Sequence, residues 1–424
     1  MPISQRILRH ESGYCKSPKI RVRKFIALLF FLFGLPFQPI LGQHLPNEWY
    51  KATALFENGN YTESVSWADS CIKQKANRYE FYLLKGKALY RQNLLGDAIE
   101  NFTLAEKYSK GSGSFWLAKL TCKLNKPEEC IKWTSKNLNS IYKEKESAFI
   151  LDNDFNSVKE NSEWKAIWEK QWYSSLDQTI YEAENMLKAG RYDACLDLLN
   201  SKIKSKNSSH RLYALRGDTY TALEQYSNAL SDYLLALKKS KRNTDYMTNV
   251  AIAYSNRKQY ANALKYINMA IDKAGNNPYY IITKAKIQLN AKQWNEAFQN
   301  IKFYLEFYPK SIEANNLLAQ SAYESGSYVD ALFALAKLIK LFPNNFEFRL
   351  LRAKTYIKTE QYRVALVDLD DVIKANYKVA EAYYIKGVAL LGIGEKERAC
   401  KSFSTSMYQG YFPSQAAFYN NCKQ

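Results

Sequence analysis

Histidine is nearly absent from this chain: His10, His44 and His210 are the three in 424 residues. None stands with Cys, Asp or Glu at the spacing of a metal site or a nucleophilic triad. Zinc and hydrolase chemistry therefore have no residues to rest on, and the expectation is a protein that is not an enzyme and holds no cofactor or metal. Glycine (16) and proline (10) are scarce, which argues against sandwiches, barrels and long flexible linkers. The glycine-containing stretch Gly392-Ile393-Gly394-Glu395-Lys396 lacks the spacing of a phosphate loop and reads as a helix end.

An uninterrupted apolar run long enough to cross a bilayer is also missing. The run FIALLFFLFGLPF, preceded by basic Arg21 to Lys24, is broken by Gly34, Pro36 and Pro39, and it falls below the ~20 residues that a membrane span needs. Basic residues, a short apolar core and small Gly42 before Gln43 have the form of a secretory signal. Cleavage is expected after Gly42. The chain is then exported, periplasmic or envelope-associated if its source is bacterial; no Cys closely follows the apolar run, which excludes a lipoprotein signal.

What is abundant is charge of one sign and tyrosine. The formal charge is +19; residues 1–42 carry seven Lys or Arg and one Glu, so the remainder keeps 53 basic against 40 acidic residues, or +13. Such an excess favours weak attraction to anionic surfaces, but no nucleic-acid recognition motif accompanies it. Tyr (33) and Phe (21) supply most of the aromatic content, and many of the tyrosines follow a period. Length alone suggests two or more domains, a count that a repeat makes misleading.

The stretch from Ile312 to Asn345 shows the period best. Ala319, Ala322 and Tyr323 fall at helical spacing, as do Ala331, Leu335 and Leu338, with a break at Gly326. Two short antiparallel helices result. The small residues Ala319 and Ala331 let them approach closely, and the narrow apolar edge left over must be buried against further copies. Those copies open at Leu176, His210, Thr244, Pro278, Ile312, Phe346 and Ala380, each 34 residues after the last. Position 8 is Ala183, Gly217, Ala251, Ala285, Ala319, Ala353 and Gly387; position 20 is Cys195, Ala229, Ala263, Ala297, Ala331, Ala365 and Ala399.

This pattern resembles the tetratricopeptide repeat, in the form found in exported bacterial proteins: small residues at positions 8 and 20, aromatics near 11 and 17, a large apolar residue near 24 and Pro near 32. The resemblance implies an all-α superhelical solenoid that binds a protein or peptide without catalysis. We expect a leader over residues 1–42, a first array over 45–144 with a degenerate third repeat, a capping or linking segment over 145–175, a second array over 176–413 and a C-terminal capping helix over 414–424, in which Ser414 can N-cap. In the linking segment, Phe155, Val158, Trp164, Ile167 and Trp168 lie at helical steps. They suit either a cap over the repeat edge or an aromatic binding patch. Cys400 and Cys422 are a possible disulfide if the last helix folds back, and Cys122 can face Cys130 across the third hairpin.

The resemblance also implies that positions 2, 5, 9 and 12 of each first helix line the concave groove. There the second array carries the acids Asp177, Glu184, Asp218, Asp245, Glu313, Glu347 and Glu381 against Arg211, Lys286 and Lys354. Five of the acids are at position 2, where they complement the helix dipole, and without them the groove is close to neutral. The expected peptide-binding groove is then Tyr279, Ile282, Lys286, Leu289, Asn316, Gln320, Tyr323, Leu350, Lys354, Tyr384 and Val388, joined by Ile357 and Leu391, with some of these serving only to pack one first helix on the next. Positions 5 and 9 never give Lys followed by Asn, the pair that the family's chaperone adaptors use to clamp a terminal carboxylate. The alternative is an envelope-associated structural or assembly component, making peripheral contact through its basic surface.

Overall fold

A computed structural model describes residues 45–75, 77–203 and 208–422, and the leader with its expected cleavage point lies outside them. Among the described residues there is no strand, and no helix is long and apolar enough to cross a membrane. Helices come in antiparallel pairs. Three pairs open the chain: Asn47–Glu57 with Tyr61–Gln74, Tyr79–Arg91 with Leu95–Tyr108, and Ser114–Lys123 with Pro127–Leu138. Seven more run from Ser175–Lys188 with Tyr192–Lys202 to Val379–Gly392 with Lys396–Tyr408, followed by Pro413–Cys422. The architecture is an all-α superhelical solenoid.

The residues that begin and break each hairpin recur in register. Ser209, Asn243, Asn277, Ser311 and Asn345, spaced by 34, each accept a backbone N–H of the helix that follows, as a side-chain cap does for the orphan donors of a first turn. Position 15 is left-handed in every unit. Glycine occupies it at Gly59, Gly190, Gly326 and Gly394, while Asn93, Asn125, Glu224, Lys258, Lys292 and Glu360 adopt the same positive φ with a side chain present. The turn is therefore dictated by the packing of the two helices, and the penalty of roughly 1–2 kcal/mol for an L-residue there is offset by that packing.

Inside each hairpin, position 8 faces position 24. In the second array, where position 8 is Ala (Ala183, Ala251, Ala285, Ala319, Ala353), position 24 is Leu or Ile; where position 8 is Gly86, Gly217 or Gly387, position 24 is Phe102, Tyr233 or Phe403; and in the first array Ala52 and Ala118 go with the smaller Ala68 and Thr134. A Cβ on Gly387 would stand 2.5 Å from the Phe403 ring, inside any permissible contact. Gly387→Ala should therefore lower stability by ~1–3 kcal/mol, as overpacking does. Adding Phe403→Leu, which recreates the Ala–Leu pairing of the other units, should restore most of it; denaturant midpoints of the single and double variants check this, and equal losses in both would refute the coupling. A similar adjustment operates at position 20. Ser64 and Cys195 replace the usual Ala there, and both donate to the position-8 carbonyl, of Ala52 at 2.8 Å and of Ala183 at 3.3 Å.

The third hairpin carries Thr134 at position 24, whose buried hydroxyl has no partner. It is closed instead by a disulfide between Cys122 and Cys130 (Cα–Cα 5.1 Å). The linking segment forms helix Glu146–Ile150, a 3-10 turn Asn153–Val158 and helix Ser162–Trp168. Phe149, Phe155, Val158, Trp164 and Ile167 are buried in one core with Ala118, Cys130 and Leu138, so these aromatics cover the third hairpin and are not available as a free patch. At the other end Cys400 and Cys422 are bonded (Cα–Cα 5.6 Å) and Phe418 packs beside Phe403. The expectation that Ser414 caps the last helix fails. Pro413 begins that helix, and the buried Ser414 hydroxyl donates to Ser406 Oγ.

Candidate functional site: the face of the first helices

The expected groove residues separate into three groups. Ile282 (6% exposed), Leu289 (8%) and Leu350 (2%) are buried in the cores between units. They cannot meet a ligand, because adjacent first helices close over positions 5 and 12 in these units. Lys286 and Lys354 remain at the surface but are engaged: Lys286 pairs with Glu313 at 2.7 Å and Lys354 with Glu381 at 2.5 Å. Each joins position 9 of one unit to position 2 of the next. Asn316 and Gln320 are exposed, Tyr279 is 39% exposed, and Tyr323, Tyr384 and Val388 are half-buried, Tyr384 against the Phe403 and Tyr411 rings. Ile357 and Leu391 are likewise half-buried, packed on the cores beside them.

The pairing of the lysines changes the electrostatics. Arg211 is bonded to Asp177 (2.8 Å) and Lys145 is paired with Glu184. Asp218 and Asp245 are left as first-helix acids whose donors are tyrosine hydroxyls. Tyr233 Oη donates to Asp218 at 2.8 Å, reaching the first helix because Gly217 leaves room for its ring; Tyr280 Oη donates to Asp245 at 3.0 Å. Burial pushes the Asp218 carboxyl up to about 6 against the Tyr233 hydrogen bond, with the Glu184 charge adding to the rise, and burial raises Asp245 likewise. The same burial, reinforced by the charges of Asp245 and Asp218, pushes the Tyr279 hydroxyl up to about 12. Tyr246 feels both carboxylates and shares a 2.7 Å hydrogen bond with His210 Nδ1, whose ring burial keeps from protonating as readily as a free imidazole.

This face thus carries tyrosines around two carboxylates, Asp218 and Asp245, that form no ion pair among the described residues, in a protein with a large basic excess. It can hold a cationic group by charge and by ring faces. Arg211, Lys286 and Lys354 are engaged by acids at position 2, so of the groove acids Asp218, Asp245 and exposed Glu347 are left without an ion pair among the described residues. The signal for the site was in the sequence as Asp218 at position 9 and the Gly217–Tyr233 combination. Among the described residues no group of three or more His, Cys, Asp or Glu could hold a metal. Two surface hollows lie elsewhere, about 440 Å³ at the turns holding Glu224 and Arg257 and about 270 Å³ beside Trp164 and Trp168.

Sequence profiles described as tetratricopeptide repeat match residues 50–112 and 350–405, and a second such profile matches residues 210–240. Among solved structures, the chain is similar to the C-terminal part of a repeat protein of the same kind from Cytophaga hutchinsonii (17% identity, 58% of this chain and 100% of that one, TM-score 0.46) and to one from Parabacteroides merdae (19% identity, 58% and 98%, TM-score 0.40). The Cut9 to Hcn1 hetero-tetramer of APC/C covers more of the chain, 89% against 97% of its own, at 9% identity and TM-score 0.44. No curated protein matches the sequence.

Proposed function

The chain is a tetratricopeptide-repeat protein, and from that premise we propose that it is an exported, non-enzymatic scaffold that holds an extended, cationic segment of a protein partner along its first helices. The observation that carries this is the pair Asp218, half-buried, and Asp245, at the surface, carboxylates that receive tyrosine hydroxyls and, among the described residues, no cation. A Lys or Arg side chain brought there would form charge-assisted hydrogen bonds beside the rings of Tyr246 and Tyr279. Repeats of this kind bind protein and peptide partners in general, and an extended segment suits a face that recurs from unit to unit. Export is supported by the apolar leader and by two disulfides, which persist in oxidising compartments.

The test uses the full chain and a fluorescent ten-residue polylysine peptide. Asp218→Asn with Asp245→Asn should weaken binding by ~100-fold, since two charge-assisted contacts at roughly 1.5 kcal/mol each are lost. Glu160→Gln, which removes an exposed acid paired with Lys165 on the linking segment, should leave binding unchanged. Equal affinity in the double variant and the parent would end the proposal. The same variant separates attachment to envelope material through the basic exterior, because removing two inner acids would not weaken that contact, whereas salt would screen both modes.

A further inference from the structure

A solenoid unit ordinarily touches only its sequence neighbours. The first hairpin here does more. Tyr50 Oη donates to the Ala274 carbonyl at 3.1 Å, and Tyr308 Oη donates to the Glu57 carboxylate at 3.0 Å, across separations of 224 and 251 residues. Trp49, Tyr50 and Phe307 share one buried core, with Phe303 packed on its edge. The repeat does not ask for those two phenylalanines. Positions 26 and 30, Phe303 and Phe307 in this unit, are Lys337 and Leu341 in the next and Asp371 and Ala375 in the one after. The helix Trp294–Phe307 therefore carries, beyond the stripe that packs within its own hairpin, a second aromatic stripe that the first hairpin covers.

We infer that the hairpin Asn47–Gln74 is a latch, which closes one turn of the stack by docking on Trp294–Phe307 and releases as a unit while the repeats on either side stay folded. Each partner also has packing besides the contact. Ala52, Ala54 and Cys71 pack against Phe81 and Leu84 of the next unit, and Ala297, Ile301 and Tyr304 pack with Ile282 and Ala314 of their neighbours. Opening the contact withdraws Phe307, with Phe303 and Tyr308 at its edge, and two hydrogen bonds from a core whose other members all belong to the first two hairpins. When closed, the latch joins the ends of the stretch that contains Asp218 and Asp245.

Hydrogen exchange and small-angle scattering on the full chain test this without any ligand, so the outcome is independent of the peptide proposal. In Phe303→Ala with Phe307→Ala, amides of residues 47–74 should exchange at least ~10-fold faster and the radius of gyration should rise, while residues 79–108 and 278–290 keep their parent rates. Tyr50→Phe with Tyr308→Phe should move residues 47–74 in the same direction by a smaller factor. Lys337→Ala with Leu341→Ala, at the same repeat positions one unit on, should change nothing there. Unchanged exchange of residues 47–74 in both latch variants would overturn the inference. So would acceleration spreading through residues 79–108 and 278–290, since the contact would then be part of one cooperative fold.

Discussion

Arg216→Leu is expected to destabilise the chain by ~3–5 kcal/mol, the range for removing one partner of a buried ion pair. Arg216 sends Nε and Nη2 to the two oxygens of Asp232 at 2.7 and 2.8 Å and its Nη1 to Asn200 at 2.8 Å. Asp232 is 3% exposed, so loss of the guanidinium strands a charge that water cannot reach. Arg216→Leu with Asp232→Leu should recover most of the loss, because an apolar pair in the same space is often neutral or better. The repeat supplies its own comparison. Arg352 makes the same two-pronged contact with Asp368, also at positions 7 and 23, but Arg349 stands 3.4 Å from that carboxylate as well. Arg352→Leu should therefore cost less than Arg216→Leu. Denaturant titrations of the parent and the three variants decide it, and a loss below ~1 kcal/mol for Arg216→Leu would place the pair with ordinary surface bridges.

That pair marks how far the sequence can be read. Small residues at positions 8 and 20 and the break at position 15 are visible because the repeat multiplies them, and they determine the helical hairpins. The Arg and Asp at positions 7 and 23 occur together in two units, and the structure is what joins them. Burial of Ile282, Leu289 and Leu350 was not legible. Periodicity tells which face of a helix a residue is on, while the closeness of the next first helix decides whether that face sees water. The fate of Lys286 and Lys354 depended on their neighbours one unit on, Glu313 and Glu381, so a list of groove charges overstated what remains for a ligand. The contact of Tyr50 with Ala274 joins residues too far apart for any local pattern. Its trace in the sequence is the surplus of Phe303 and Phe307 over what one hairpin needs.

Asp218→Asn should stabilise the chain at pH 7.5 and give no such gain near pH 3.5, while it weakens the binding of a cationic peptide. Burial holds the Asp218 carboxyl at about 6 in the folded chain, against an ordinary 3.8. The folded state thus binds this proton more tightly than the unfolded chain does. The stability that the neutral carboxyl contributes is complete below pH 3.8 and is lost as pH rises through about 6. Above that, the ionised group costs up to ~3 kcal/mol, at 1.36 kcal/mol for each pKa unit. Asn keeps an acceptor for Tyr233 Oη and cannot ionise, so the variant escapes the cost. Unfolding measured for parent and variant from pH 3.5 to 7.5 should give curves that diverge between pH 4 and 6, the parent falling relative to the variant. Parallel curves would show that Asp218 titrates as a solvated carboxylate. A cation bound at Asp218 would return that energy by favouring the ionised form, so on the proposed function the polylysine peptide should narrow the gap between parent and variant at pH 7.5.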